Sequence, residues 1–579
     1  MVNFTNNYYA SELSALRELG REFAEANPTL APMLTGASAD PDVERLLEGV
    51  AFLTGLVRQK LDDDFPQIAQ EMSNLIFPQF LRQLPCAALI QFLPALKLND
   101  TAVVKRNTEL ASVPVDGTSC RFKTIADLDV HPIKLAGSTL KQAAGQAPVL
   151  QLRFAADGID LAEFKAQSLR LFLGLDMREA CNWFYALQET ATRVRLVDGG
   201  KQPVSLGVEA LVCRQYDVYL TPYPPQAFPK HQLLQDYLQM PEKLLFIDIE
   251  GLSNWKKRSG NEFSIEIEFD PGIYDLHLKS DVFMLNVVPA LNLFNYAADP
   301  IQIDHKQIEY RIRPQDDRQQ HYAVYRVDQV RGLRQGEHNE IDYQEISHFS
   351  VSVEQAQNIY RLFRRPHLSG KGIETLISVV YPQGVPEKNE TLSIRMTCSN
   401  GGLPERLRPG DISVKTDSSP ERFTFKNLNA PTPQREPCLH GGMLWSVLSF
   451  LSLNYNGITS VEALRELLRL LATGGHPVSA ASQGNLRRID GLKRMEIFDE
   501  SRLFRGTPLR GRRIRLYCDE SCFNGKGDLY LFGCVMDRFF AASSEINTYS
   551  KFELVTTGLG EIIKWPERVA NHRLISLPG

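Results

Sequence analysis

At 579 residues, 43% hydrophobic and 23% charged, the chain has the composition of an ordinary globular protein and enough length for several buried cores. That excludes a wholly disordered, a collagen-like or a polytopic membrane chain. With 64 Lys plus Arg against 69 Asp plus Glu, the net charge of -5 gives no global reason to expect nucleic acid or an acidic membrane surface as the main partner.

The first thirteen residues hold no basic segment followed by an apolar one, so no signal peptide is expected. From Tyr9, the positions Leu13, Leu16, Gly20 and Phe23 recur at spacings of three and four, which predicts a helix closed by Asn27-Pro28. A second start is strongly marked. Asp40 can cap, Pro41 suits the first helical position, and Asp42 and Glu44 oppose the dipole. Val43, Leu46, Leu47, Val50, Leu53, Leu56, Val57 and Leu61 then form a broad apolar stripe, on a helix expected to run to about Asp62. A short third helix is expected between Pro66 and Pro78. These stripes have little nearby sequence to form a core. They pack either on the rest of the chain or on another protein.

From Pro85 the period shifts toward two. Strands are expected at Ala87–Pro94, Val149–Ala155, Ser168–Leu175, Val208–Tyr219 and Phe263–Phe269, the last with Glu266 and Glu268 facing outward. Helices are expected at Met177–Leu187 and Gln232–Leu238. Strand-rich sequence continues at Ile301–Ile312, Tyr322–Val330, Phe349–Val353, Glu374–Tyr381 and Leu392–Thr397. Pro404–Pro437 reads as linker or long loop. Helical character returns at Met443–Leu453, and Thr459 with Glu462 forms a capping-box signature before Val461, Leu464, Leu467, Leu468 and Leu471, closed by Gly474-Gly475. The last hundred residues mix strands (Arg512–Cys518, Leu529–Phe532) with a helix near Val535–Ser543. The expected class is α+β: a helical region over 1–84, β-rich regions over 85–300 and 301–435, and a mixed helix and strand region over 436–579.

The search for chemistry returns little. Ser369-Gly370-Lys371-Gly372 lacks the frame of a phosphate-binding loop. Nine scattered cysteines read as reduced thiols in a cytosol, and Cys518, Cys522 and Cys534 lack the second pair or the histidines a zinc site needs. The eleven histidines make no metal-binding or catalytic spacing. The pairs Asp248/Glu250 and Glu266/Glu268 leave open, as an alternative function, a β-rich carbohydrate-processing enzyme using paired carboxylates. Ten basic residues lie between Asn485 and Leu516, among them Arg510, Arg512, Arg513 and Arg515. They form a solvated face, a nucleic-acid site or an interface to an acidic protein surface.

The opening block Tyr8-Tyr9, Glu12-Leu13, Leu16-Arg17 and Gly20-Arg21-Glu22-Phe23-Ala24 is followed by Asp40-Pro41-Asp42-Val43-Glu44-Arg45-Leu46-Leu47-Glu48-Gly49 and Lys60-Leu61-Asp62-Asp63. Asp299-Pro300-Ile301, Asp304-His305, Glu309-Tyr310-Arg311 and Tyr325-Arg326-Val327-Asp328 come in the middle. Leu529-Tyr530-Leu531-Phe532-Gly533, Asp537-Arg538-Phe539 and Trp565-Pro566 come near the end. In this order they resemble the type VI secretion baseplate family TssF, also called ImpG or VasA. The resemblance implies a cytoplasmic wedge subunit with no catalytic, cofactor or metal residues. Two copies would associate with one TssG, alongside TssK and TssE, around a VgrG hub, reaching the inner-membrane complex only through partners. Tyr9, Leu13, Leu16, Phe23, Val43, Leu47, Val50 and Leu61 are then expected in an intersubunit bundle, and Arg510, Arg512, Arg513 and Arg515 against an acidic subunit.

Overall fold

The structure is a computed structural model. It describes residues 13–14, 16–17, 19, 42, 45–54, 70, 72–73, 78–142, 146–174, 176–198, 202–222, 229–272, 276–279, 281–346, 358–367, 372–381, 389–437, 439, 458–474, 480–504, 507–542, 548–569 and 572–573. The fold is α+β and rich in strands. The chain forms two compact units, 1–81 with 438–452, and 82–437 with 453–579.

In the first unit the described residues at 13–19, 42–54 and 70–73 are helical, as the apolar spacing predicts. The helix expected at Met443–Leu453 lies outside the described residues, as does the strand expected at Phe349–Val353.

The second unit is built on sheets whose buried faces follow the period-two pattern. Ala87–Pro94 lies inside a six-stranded sheet, between Val287–Leu291 and Phe423–Asn427. The sheet is completed by Thr118–Thr124, Glu109–Val115 and Val414–Lys415. Phe92 packs on Phe425 with ring centroids 5.6 Å apart, over a core that includes Ile90, Phe122, Val288, Leu407 and Ile412. The segment 404–437, expected as linker, is therefore part of this core. Its turns are ordered by Asn427, which accepts from the Ile412 N–H at 2.8 Å and donates to the Arg408 carbonyl at 3.0 Å. A side chain that satisfies buried backbone groups lets a Pro-rich, Asn-rich stretch serve as structure.

A five-stranded sheet orders Val204–Ser205, Ala191–Val197, Glu262–Phe269, Val149–Ala156 and Ile133–Lys141. Ile265, Ile267 and Phe269 point inward, as the alternation predicts. A four-stranded sheet holds Leu211–Val212, Phe246–Ile249, Leu169–Leu173 and Phe283–Met284. The strand expected over Val208–Tyr219 is only Leu211–Val212, flanked by single turns at Val208–Ala210 and Gln215–Asp217. An eight-stranded sheet is centred on Ala323–Arg334 and Glu390–Ser399. The expected strand Ile301–Ile312 is divided there into Ile301–Ile303 and Tyr310–Arg311.

Val461–Thr473 is a helix that ends at Gly474, whose φ of 60° places it in the left-handed region. Its cap is Ser460, accepting from the Ala463 N–H at 3.2 Å, one residue after the Thr459 the pattern favoured. Leu529–Phe532, expected as a strand, belongs to the helix Lys526–Ala542, which is buried on nearly every side. A continuous apolar run fits a buried strand and a buried helix equally by pattern. Here the helix is the crossover between Thr507–Cys518 and the parallel strand Thr548–Thr556. Its two buried acids are paired: Asp528 with Arg488 at 3.0 Å and Asp537 with Arg568 at 2.5 Å. Gly527 lets the backbone at Cys181–Asn182, in the helix Met177–Tyr185, approach closely, and Gly533 makes room for the Trp565 ring.

Candidate interaction surfaces

The helix through residues 45–54 turns two apolar faces in different directions. Ala51 is buried and Leu47 half-buried, on one side. Leu46, Val50 and Leu53, spaced i, i+4, i+7, are 69%, 45% and 62% exposed, and Phe52 beside them is exposed as well. Three large side chains in one helical row left in water are unusual for a surface helix, whose outward positions are ordinarily polar. The sequence marked the whole stripe as apolar, which cannot separate the row that meets the chain's own core from the row that does not.

Of the eight apolar residues expected at an interface, Leu13, Leu16 and Leu47 are half-buried and Val50 is exposed. Tyr9, Phe23, Val43 and Leu61 lie outside the described residues. Leu19, Leu46, Phe52 and Leu53 were not singled out, yet they are more exposed than Leu13, Leu16, Leu47 and Val50.

The basic stretch is a long antiparallel hairpin, Leu492–Phe504 with Thr507–Cys518. Its register places arginines opposite carboxylates. Arg512 lies 3.3 Å from Asp499 and Arg513 2.9 Å from Glu500, while Arg515 reaches across to the buried Glu553 at 2.8 Å. Arg513 and Arg515 also lie over the Phe498 ring, at 5.0 and 5.7 Å from its centroid. Arg502 pairs with Glu567 and Arg494 with Glu496. Among the described residues, Arg510 is exposed and has no ion pair. The surface is thus a lattice of alternating charge, in which a phosphate backbone would meet cations already matched. The acids that match them include Glu553, far away in sequence, so counting charges along the stretch could not reveal it.

The carboxylate pairs are likewise committed. Glu266 and Glu268 face Arg195 and Arg193 on the next strand, at 3.5 and 3.4 Å. Asp248 is buried against Arg170 at 2.7 Å, and Glu250 lies 2.6 Å from Arg214. Cys518 and Cys534 are buried with thiols pushed up chiefly by burial, and Cys534 Sγ accepts from the Trp565 indole at 3.4 Å. Among the described residues no group of three His, Cys, Asp or Glu is placed to hold a metal, and no helix is long and apolar enough to cross a membrane.

Comparison with known proteins identifies the chain. It is 29% identical to the type VI secretion system component TssF1 of Pseudomonas aeruginosa, over 96% of this chain and 97% of that protein. It is 26% identical to a chain in the cryo-electron microscopy structure of a type VI secretion TssK-TssF-TssG baseplate subcomplex. That superposition has a TM-score of 0.78 and covers 93% of this chain and 100% of the other. A chain in the structure of a type VI secretion baseplate complex shares the fold, with a TM-score of 0.65 at 23% identity, covering 99% and 100%. The family described as type VI secretion system, TssF, matches residues 1–572, and this chain belongs to it.

Proposed function

We propose that the chain is a wedge subunit of a type VI secretion baseplate, whose work is to hold neighbouring subunits at fixed positions. Its partners in this reading are TssG and TssK, with TssE and a VgrG hub nearby and a second copy of the chain in the same wedge. It acts in the cytoplasm and reaches the membrane complex through those partners. Residues 1–84 supply helical contacts and the β-rich remainder a stiff body. Family membership supports this reading, and so does the row Leu46, Val50 and Leu53.

Burying each such side chain is worth about 1.5–3 kcal/mol, so the row is a strong adhesive if a partner covers it. Replacing Leu46 and Val50 by Glu is expected to abolish copurification with TssG, while circular dichroism and limited proteolysis show the β-rich unit intact. Undiminished capture of TssG by a folded double variant would refute the assignment of this face.

A further inference from the structure

Arg82 and Arg364 meet on one residue, Tyr325. The Arg82 guanidinium lies over the Tyr325 ring, 5.7 Å from its centroid, and Arg364 Nη2 donates to the Tyr325 carbonyl at 3.4 Å. Tyr325 stands near the start of the strand Ala323–Arg334, where the register breaks between Val324 and Arg326, and its side chain is fully buried. Such breaks re-aim a side chain and collect beside functional sites. Here the break turns an immobile aromatic plate toward two cations.

Other arginines near the core find acceptors within the fold. Arg515 meets Glu553, Arg568 meets Asp537, and Arg435 donates to the Ala472 carbonyl at 2.7 Å. Arg82 has no such acceptor. Its Nη1 is buried without a hydrogen-bond partner, and among the described residues neither Arg82 nor Arg364 forms an ion pair. A ring face attracts a cation but offers no lone pair in place of an oxygen. The neighbouring Asp328 is committed to Arg326 at 2.7 Å. Burial, and next the charge of Arg82, push the Arg364 guanidinium down to about 10, although Glu345 and Tyr325 oppose the shift. Two like charges thus press on each other with too little negative charge inside the fold to balance them. Both residues are half-buried, so each keeps a part open to solvent. Guanidinium forks match the paired oxygens of carboxylate and phosphate.

We propose that Arg82 and Arg364, held on Tyr325, together bind an oxyanion: a phosphate or carboxylate group. The group is supplied free from solution or by an acidic side chain of a neighbouring protein, and both present the same paired oxygens. The site goes beyond the assembly role and does not depend on it.

The test uses the isolated full-length chain and inorganic phosphate, with sodium chloride at matched ionic strength as reference. Phenylglyoxal attacks guanidinium groups, and peptide mass spectrometry then reads each arginine without any substitution. Saturating phosphate is expected to slow modification of Arg82 and Arg364 at least about threefold, while the exposed Arg510 reacts at an unchanged rate. In calorimetry, phosphate should raise the melting temperature along a saturable curve. Arg82→Met and Arg364→Met should each weaken the apparent affinity at least about tenfold. Equal modification rates with and without phosphate overturn the proposal, and so does slowing shared equally by Arg510. Variants that keep the full phosphate shift overturn it as well: a purely structural role lowers the melting temperature by the same amount in chloride and in phosphate. Capture of TssG assigns the source of the anion. Weaker capture in saturating phosphate assigns it to a carboxylate of that partner, and undiminished capture to a free ion; shielding of both arginines supports the site in either case. A wild type that shields both arginines yet never captures TssG sinks the baseplate reading and leaves the site standing.

Discussion

Gly527 sits where two opposing effects of one substitution can be separated. In a helix interior, Gly→Ala gains about 1 kcal/mol from backbone entropy alone. At Gly527, in Lys526–Ala542, a methyl would stand 2.5 Å from the Asn182 nitrogen and closer still to the Cys181 carbonyl group. Those are backbone atoms of the helix Met177–Tyr185, so no side chain can swing aside. The helices must separate by roughly 1 Å, and overpacking of this kind costs about 1–3 kcal/mol. The cost rises further because Trp183 and Phe184 on the displaced helix are fully buried. Clash therefore outweighs propensity, and Gly527→Ala is expected to lower stability by about 1–2 kcal/mol net. Gly484 supplies the control. It lies exposed in the helix Ala480–Asp490 with nothing within 4 Å of a built methyl. Gly484→Ala is expected to raise stability by about 0.5–1 kcal/mol. Differential scanning calorimetry of the two variants beside the wild type reads both signs at once. An unchanged or raised transition for Gly527→Ala would refute the close-approach argument, and a lowered one for Gly484→Ala would refute the propensity argument.

Three further outcomes are expected. Lys243 and Asp236 form a fully buried ion pair at 2.5 Å, and Asp236 also accepts from the Leu220 N–H. Lys243→Met should then cost about 3–5 kcal/mol, and adding Asp236→Leu should recover much of it; a double variant no better than the single one in chemical denaturation would contradict this. Burial pushes the His131 imidazole below its usual value, although Asp129 opposes the shift. The folded chain thus disfavours the proton that the unfolded chain takes up, so this contribution is complete above about pH 6.5 and is lost as pH falls through it. His131→Gln should flatten that part of the melting-temperature profile, and an identical acid slope in both proteins would show that another group is responsible. Ser460→Ala removes the cap of Val461–Thr473 and should cost about 1 kcal/mol in the same calorimetry; no shift would mean that water replaces the hydroxyl.

Element type was legible wherever periodicity was strong. Glu262–Phe269 and Val461–Thr473 follow from spacing and turn chemistry alone. The readings that failed share a cause. Leu529–Phe532 is apolar without a period, because its helix is covered on nearly all sides, so nothing local separates strand from helix. The 404–437 segment has loop composition, and only its distant partners Ala87–Pro94 and Glu109–Val115 make strands of it. The candidate surfaces behaved similarly. That Leu46, Val50 and Leu53 are apolar was visible, but which row of the stripe stays uncovered depends on tertiary packing. The arginines were visible too, but the cross-strand register that pairs Arg512 with Asp499 and Arg515 with Glu553 was not.

The arrangement of the six-stranded sheet bears on how the polypeptide is made. Ala87–Pro94 emerges early from the ribosome, yet its two neighbours, Val287–Leu291 and Phe423–Asn427, are synthesised much later, the last only after the whole eight-stranded sheet between them. Until the first appears an apolar strand waits with both edges open, until the second it waits with one, and pairings that span so much sequence form slowly. Nascent chains halted before residue 423 should therefore lean on chaperones, and truncation there would release an unfinished sheet rather than a free-standing module.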